Sequence, residues 1–444
     1  MRPTPVSAQN TDRKATADPH RRRVLAGLLG SAVAGLGRAS ATQKNPGGKI
    51  HDVAIVGAGV FGCWTAWHLA ERGLSVALVD AFGPGNGLSS SGGETRVTRM
   101  AYGPDAVYTR LAKQSLGMWQ ALHRRWRERT GAPLFYPTGV LWLSGDRNAY
   151  FDNSLDTLNK LAVPVRVFAD KNRLRQAFPQ FDYAGINTGF LEPRSGALAA
   201  RLSVNAVADE AQRKGVRLWQ ARASRPIPTR INGTAGLRVP LRGQEDLLAR
   251  QVVYACGAWL PKVFPDLLGG RIVPSRQEVF YLNLKAVSES LAQRYAPGRF
   301  PVWADFNDGD VFYGIPDVAG YGFKIAHDKH GPRMDPDRAN RRASAVAEAE
   351  MRAYLRKRFP DVANAPLASV RVCQYENTSN GDFLLDRHPT LENVWLAGGG
   401  SGHGFKHGPA VGQYVADLVT GKRTRTHSRF ALETKGTAQN RQVI

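Results

Sequence analysis

Four sets of residues could do chemistry in this chain. Cys373 lies in SVRVCQYENTSNGDFLLD, an extended run of alternating apolar and polar residues, and the whole chain has three cysteines. A sulfur there is either a small packed hydrophobe or a nucleophile, and the run alone leaves both readings open. Arg96 and Arg99 stand three apart in ETRVTRMAYG, just past the glycine- and serine-rich GPGNGLSSSGG. That spacing predicts both guanidiniums on one face of a helical turn. They form either a solvated face or a grip on a carboxylate, whose geometry the planar guanidinium matches. Tyr313 and Lys324 fall in VFYGIPDVAGYGFKIA, which reads as a hairpin. Lys324 is an ordinary strand lysine or a charge placed for a reaction.

The fourth set is glycines. Gly57, Gly59 and Gly62 form G-x-G-x-x-G between an apolar strand, Val53 to Val56, and a helix whose packing face carries Val60, Cys63, Trp64 and Trp67. Gly73 closes that helix, and a second strand, Val76 to Val79, ends on Asp80, 18 residues past Gly62. Such a unit binds a dinucleotide: the glycines give the tight turn, backbone access for a pyrophosphate and close helix packing. The helix N-terminus attracts the phosphate and Asp80 accepts from ribose hydroxyls. A second loop, in NVWLAGGGSGHGFKHGPAVGQYVADLVTG, follows a strand over Val394 to Ala397. Gly398, Gly399, Gly400, Gly402 and Gly404 then lead into a helix from Pro409 to Val419. This second loop suits the ribityl and phosphate end of a flavin and favours FAD over NAD.

Composition limits the alternatives. At 444 residues, 43% of them apolar, the chain has room for two cores. Cys63, Cys256 and Cys373 are too scattered for a disulfide framework or a zinc-ligand spacing, and no metal site is expected. Cys63, on a packing face, and Cys256, in VVYACGAW, read as structural. The formal charge is +23; residues 1–41 hold seven basic and two acidic groups, leaving 53 against 35 beyond them, a formal +18. These charges are spread rather than striped with aromatics, so a basic solvated surface, not a nucleic-acid site, is expected. It would draw in anionic substrates. Residues 1–41 read as an address: RRRVLAGLLGSAVAGLG is a basic cluster before a short apolar run, and ASA at Ala39 to Ala41 suits cleavage. It resembles a twin-arginine export signal, with His20 where Ser or Thr is usual. The expected location is periplasmic or secreted, through export machinery for folded proteins. No stretch is long enough for a membrane span, so an integral membrane protein is not expected.

GAGVFG, ETRVTRMAYG, GFLEPRSGAL, VFYGIPDVAGYGFKIAH, and VCQY followed by SGHGFK occur in that order. Together they resemble the monomeric sarcosine oxidase and N-methyltryptophan oxidase family of FAD-dependent amine oxidases, pipecolate oxidase included, from about Asp52 to Gly421. The resemblance implies a D-amino-acid-oxidase-like fold, α/β (α+β overall), with a Rossmann-type FAD-binding domain interleaved with a mixed-sheet substrate domain. It implies that Cys373, two residues before Tyr375, forms a thioether to the flavin ring. It implies that Arg99 and Lys406 grip the substrate carboxylate while Arg96 lies against the flavin. Lys324 matches the oxygen-activating lysine. The catalytic candidates are then Lys324, Arg96, Tyr313 and His327; Tyr375 joins Arg99 and Lys406 on the substrate. Flavin contacts are assigned to Gly57, Gly59, Val60, Phe61, Gly62, Asp80, Ser91, Thr95, Arg96, Cys373, Gly400, Gly402, His403, Gly404 and Lys406. The sequence departs from the family at Asp328, where a histidine is usual. His327, three residues past Lys324, would face away from it unless a bulge intervenes. Pro104 replaces an acidic residue, and Ser379 and Asn380 replace Pro-Asp.

The expected organisation is a discontinuous FAD-binding domain over 48–135, 190–272 and 366–424. A substrate domain over 136–189 and 273–365 covers the flavin. It includes a strand in RIVPSRQEVFYLNL and an amphipathic helix in RRASAVAEAEMRAYLRKRF. Residues 425–444 read as a polar, basic, poorly ordered tail. The expected activity is oxidation of a secondary or N-methylated amino acid to an imine, with oxygen reduced to hydrogen peroxide. A dehydrogenase passing electrons to a quinone or protein acceptor, and a non-enzymatic flavin-binding module, are the competing expectations.

Overall fold

The apolar run after His51 forms a strand, Ile50–Val56, that leads through the glycine turn into the helix Val60–Glu71 and back to a parallel strand, Val76–Asp80. Gly57 has φ +109, and a Cβ there would lie 2.3 Å from the Ala255 carbonyl oxygen. A Cβ on Gly62 would fall 1.8 Å from the Gly57 oxygen. Only glycine permits either close approach. This computed structural model describes residues 49–306 and 311–439; the expected export signal over 1–41 lies outside the described residues.

The first strand also pairs in parallel with Leu247–Tyr254, which pairs in parallel with Val394–Gly398. Arg217–Gln220 extends the sheet in parallel beyond Val76–Asp80. Ile227–Ile231, Thr234–Val239 and Leu384–Arg387 complete eight strands with antiparallel pairings. The central parallel strands Ile50–Val56, Val76–Asp80 and Val394–Gly398 are mostly buried, as the middle of a parallel sheet requires. Helices Val60–Glu71, Ala200–Arg213 and Gly408–Val419 pack together over it. A Cβ on Gly412 would come 2.6 Å from the Trp64 backbone, so this glycine allows the close helix approach.

A second eight-stranded sheet runs Leu367–Thr378, Ile272–Leu282, Phe323–His327, Phe312–Ile315, Val302–Asp305, Val140–Ser144, Thr188–Glu192 and Arg166–Phe168. All neighbours are antiparallel except Val302–Asp305 with Val140–Ser144. Two assignments therefore change. Leu367–Thr378, expected with the nucleotide-binding segments, pairs along its length with Ile272–Leu282, setting Cys373 opposite Gln277. Thr188–Glu192, split by the expected boundary at 190, belongs wholly to this sheet. Neither pairing is visible to a local pattern, because each joins strands distant in sequence. The helix Ala345–Arg358 packs behind the sheet, with Arg358 fully buried and 3.0 Å from Asp305. A small third sheet joins Thr95–Thr98, Gly196–Ala199 and Phe135–Tyr136.

Residues 425–439 correct the expectation of a poorly ordered tail. Phe430 is buried beside Tyr108 and Phe383, and the Lys435 side chain is enclosed and donates to the Arg429 carbonyl. Arg429 bonds both Asp105 and Asp382. The segment looks polar and basic in sequence because these acidic partners lie far away in the chain. Among the described residues no helix is long and apolar enough to cross a membrane.

Candidate active site

A cavity of 590 Å³ opens where the first sheet's glycine turns meet the cysteine strand. Gly57, Gly59, Val60, Phe61, Asp80 and Ser91 line it from the βαβ side. Arg96, Cys373, Gly400, Gly402 and Gly404 line it from the other side. Gly62 sits behind the turn rather than on the cavity, and Thr95 also stands back, its carbonyl accepting from Arg96 and Lys324. The Ser91 hydroxyl accepts from the Val60 N–H at the helix N-terminus (3.1 Å). Asp80 accepts from the Ala58 N–H (2.8 Å), and burial raises its carboxyl above the usual range.

Glu376 is a residue the sequence reading missed. It follows Tyr375 in the extended run, and alternation turns it toward the glycine loop. Its Oε1 accepts from the Gly400 N–H at 3.1 Å, its Oε2 is buried without a partner, and burial pushes its carboxyl up to about 7. A buried carboxyl with a vacant oxygen requires a polar occupant in the cavity. The hydroxyl-bearing ribityl chain of a flavin dinucleotide meets that requirement, with its pyrophosphate at the first glycine turn. The residues present thus fit FAD.

A smaller chamber, 80 Å³, shares Arg96, Tyr375, Ser401, Gly402 and Phe405 with the first cavity. Arg99, Lys324, Lys406, Tyr313, His403 and Asp328 also line it. The two arginines do not share a helical face. Thr95–Thr98 is a strand, paired with Gly196–Ala199 about a hundred residues on, and Arg99 lies just beyond its end. Arg96 donates to the Ser90 carbonyl (2.6 Å) and to Cys373 Sγ (3.4 Å). Arg99 instead lies over the rings of Tyr102 (4.2 Å) and Trp142 (5.2 Å) and donates to the Ala101 carbonyl. One cation thus faces the cysteine and the other faces the chamber.

Lys406 comes from the second glycine loop and donates to Tyr102 Oη (2.8 Å) and the His403 carbonyl (2.9 Å). Tyr102 Oη also lies 2.7 Å from His407 Nε2. Burial, with the positive charges of Lys406 and Arg99, holds His407 well below the ordinary histidine range. Tyr102, Trp142 and His407 were not anticipated; no spacing signals a cluster assembled from three distant segments. Lys324 is buried, its Nζ 3.3 Å from the Thr95 carbonyl and 5.1 Å from the Tyr313 ring. Burial and the Arg96 charge push its ammonium down to about 7. Its charge is therefore not fixed near neutrality, as the oxygen-activating role had assumed. Burial also raises the Tyr313 phenol. Tyr375 donates to Asp328 Oδ1 at 2.6 Å and packs under Gly402, whose φ is +81 and whose Cβ would lie 2.7 Å from the ring.

His327 does not reach the chamber. The strand Phe323–His327 runs in continuous register with both neighbours, so Lys324, Ala326 and Asp328 alternate to one side and His327 to the other. His327 stacks on Phe312 (4.2 Å) and approaches Glu350 on the helix behind (3.5 Å). Asp328 occupies the place on the chamber wall. Cys63 and Cys256 donate to the carbonyls of Ala58 and Val56, and burial raises both thiols, which leaves them structural.

Comparison with known proteins accords with this geometry. The chain is 30% identical over 387 residues to a monomeric sarcosine oxidase of Bacillus sp. (strain NS-129), covering 86% of this chain and 96% of that one. It is 26% identical to an N-methyl-L-tryptophan oxidase of Salmonella heidelberg (strain SL476), covering 84% and 95%. Two solved structures share the fold. Fructosyl peptide oxidase from E. terrenum has TM-score 0.73 and 22% identity, covering 88% and 94%. L-proline dehydrogenase from P. horikoshii has TM-score 0.71 and 21% identity, covering 86% and 97%. The family model described as DAO, FAD dependent oxidoreductase, matches residues 52–418, and the chain belongs to that family.

Proposed function

We propose that this FAD-dependent oxidoreductase oxidises a secondary or N-methylated amino acid, of the sarcosine, N-methyltryptophan or pipecolate type, to an imine. Oxygen is the proposed acceptor and hydrogen peroxide the second product. The observation that carries the reading is the convergence of Arg99, Lys406 and Lys324 on one 80 Å³ chamber beside the dinucleotide cavity. The flavin, when bound, supplies the hydride and electron chemistry. Arg99 and Lys406 hold the substrate carboxylate, each already oriented by Tyr102. The aromatic walls, Trp142, Phe306, Tyr313 and Tyr375, exclude water around the amine. Lys324 holds a proton at Nζ on the wall shared with Arg96. The relatives named as sarcosine and N-methyl-L-tryptophan oxidases support this substrate class.

A peroxide-coupled assay over sarcosine, N-methyltryptophan, pipecolate and proline tests the reading. Peroxide from at least one is expected, and none from any would overturn it. A dehydrogenase neighbour and the titratable Lys324 favour a second acceptor, a quinone or protein. Turnover with an artificial acceptor but not with oxygen would select that reading instead.

Covalent attachment of the flavin through Cys373 belongs to the same proposal. Its support is that Cys373 lines the cavity, with the Arg96 guanidinium 3.4 Å from the sulfur. Acid precipitation of the purified protein is expected to leave the yellow colour in the pellet, and the Cys373→Ala protein to release it. Release from the unmodified protein would refute the tether. Export through the twin-arginine route is proposed on RRRVLAGLLG and the following ASA. Cell fractionation of the full chain, with and without Arg21–Arg23 replaced by lysines, tests it.

A further inference from the structure

We propose that Asp328 holds the cationic nitrogen of a zwitterionic substrate, so that the chamber selects amino acids over carboxylates of the same shape. The inference rests on the proposed function for the site of the substrate carboxylate. Asp328 follows the strand Phe323–His327, and the alternation that turns Lys324 into the chamber brings Asp328 to the same side. Its backbone N–H donates to the Val311 carbonyl (2.7 Å), and its Oδ1 accepts the Tyr375 hydroxyl (2.6 Å). The residue is therefore fixed at its backbone and at Oδ1. An ionised carboxyl offers about four acceptor positions, so one phenol does not exhaust it.

The charges in the chamber are arranged asymmetrically. Among the described lining residues there are four basic side chains, Arg96, Arg99, Lys324 and Lys406, and one acidic one, Asp328. A purely anionic ligand gains from the cations but is repelled by Asp328. A zwitterion satisfies both signs, with its carboxylate on Arg99 and Lys406 and its ammonium on Asp328. The rings of Tyr313 and Tyr375 on the same wall favour a cation further. The alternative is that Asp328 only positions Tyr375. In that case its charge would not distinguish one ligand from another.

The test uses two ligands of one shape. Betaine carries a trimethylammonium group and a carboxylate; 3,3-dimethylbutanoate replaces the nitrogen with carbon and is otherwise isosteric. Betaine has no N–H and cannot be oxidised to a neutral imine, so binding is read without turnover. Both are titrated by calorimetry into the holoenzyme and into its Asp328→Asn variant. Betaine is expected to bind the unmodified protein more tightly, and Asp328→Asn to weaken it roughly ten- to a hundredfold. Binding of 3,3-dimethylbutanoate is expected to stay the same or tighten, which also shows that the variant is folded. Equal weakening of both ligands, or unchanged betaine binding, would overturn the role of Asp328 while leaving the carboxylate site in place. Failure of the unmodified protein to bind either ligand would overturn the carboxylate site itself, and the inference with it.

Discussion

Lys324→Met is expected to slow reoxidation of the reduced enzyme by oxygen about 10²- to 10³-fold, the effect typical of removing one preorganised electrostatic group. Reduction by the amine is expected to change little. The argument begins with burial. Lys324 is 1% exposed and is held between the Thr95 carbonyl and the Tyr313 ring, so its charge acts in a medium that screens poorly. The same burial, with Arg96 nearby, lowers its ammonium to about 7, while Cys373 and Asp328 act in the opposite direction. A lysine with a lowered pKa is charged below that value and neutral above it. Oxygen reactivity is therefore expected to fall as pH rises through the Lys324 titration. The titration moves above 7 if negative charge binds beside Lys324. Stopped-flow mixing of reduced enzyme with oxygen between pH 6 and 9 checks both points. Lys324→Met should remove the pH step as well as the rate. An unchanged oxygen rate in the variant would move the electrons to another acceptor.

Arg99→Met is expected to lower kcat/KM for the best amino acid by roughly 10²- to 10³-fold, as truncating one partner of a buried charge pair does. Arg99 is clamped between Tyr102 and Trp142, so its guanidinium meets a carboxylate without first losing side-chain freedom. Lys406 is oriented by the same Tyr102. Methionine keeps much of the bulk between the two rings while removing the fork. The decarboxylated analogue of the same substrate provides the control. Its kcat/KM should be low in the unmodified enzyme and nearly unchanged in the variant. A parallel loss for both substrates would mean that Arg99 supports the chamber's shape and does not bind a carboxylate.

What the sequence made legible follows from how local each feature is. The strand, glycine turn, helix and second strand from Ile50 to Asp80 are written within about thirty residues and appear with their expected periods. The second glycine loop and its helix are local in the same way. Alternation along Phe323–His327 was also enough to question His327, and the unbroken register turned it away from the chamber. Arg96 and Arg99 were misplaced because a spacing of three suits a helix, whereas Arg96 sits in a strand whose partner, Gly196–Ala199, is remote, and Arg99 follows just past its end. The strand carrying Cys373 looked as if it belonged with the nucleotide segments that follow it, and only its ladder with Ile272–Leu282 shows otherwise. Glu376 and His407 carry no motif, and nothing in the spacing of ETRVTRMAYG singles out its Tyr102. Their importance comes from burial and from neighbours up to about three hundred residues away. Arg429 is similar: its two acidic partners turn an apparent tail into packed structure.

Anaerobic mixing of the purified holoenzyme with amino acids bearing a secondary or N-methylated amine, followed by admission of air, tests the account most directly. Bleaching of the flavin absorbance by at least one of them is predicted, with the colour returning in air and one peroxide formed per amine consumed. A flavin that stays oxidised with every carboxylate-bearing amine, or that is bleached equally by amines lacking the carboxylate, would contradict a chamber built from Arg99, Lys406 and Lys324 to present an amino acid to the cofactor.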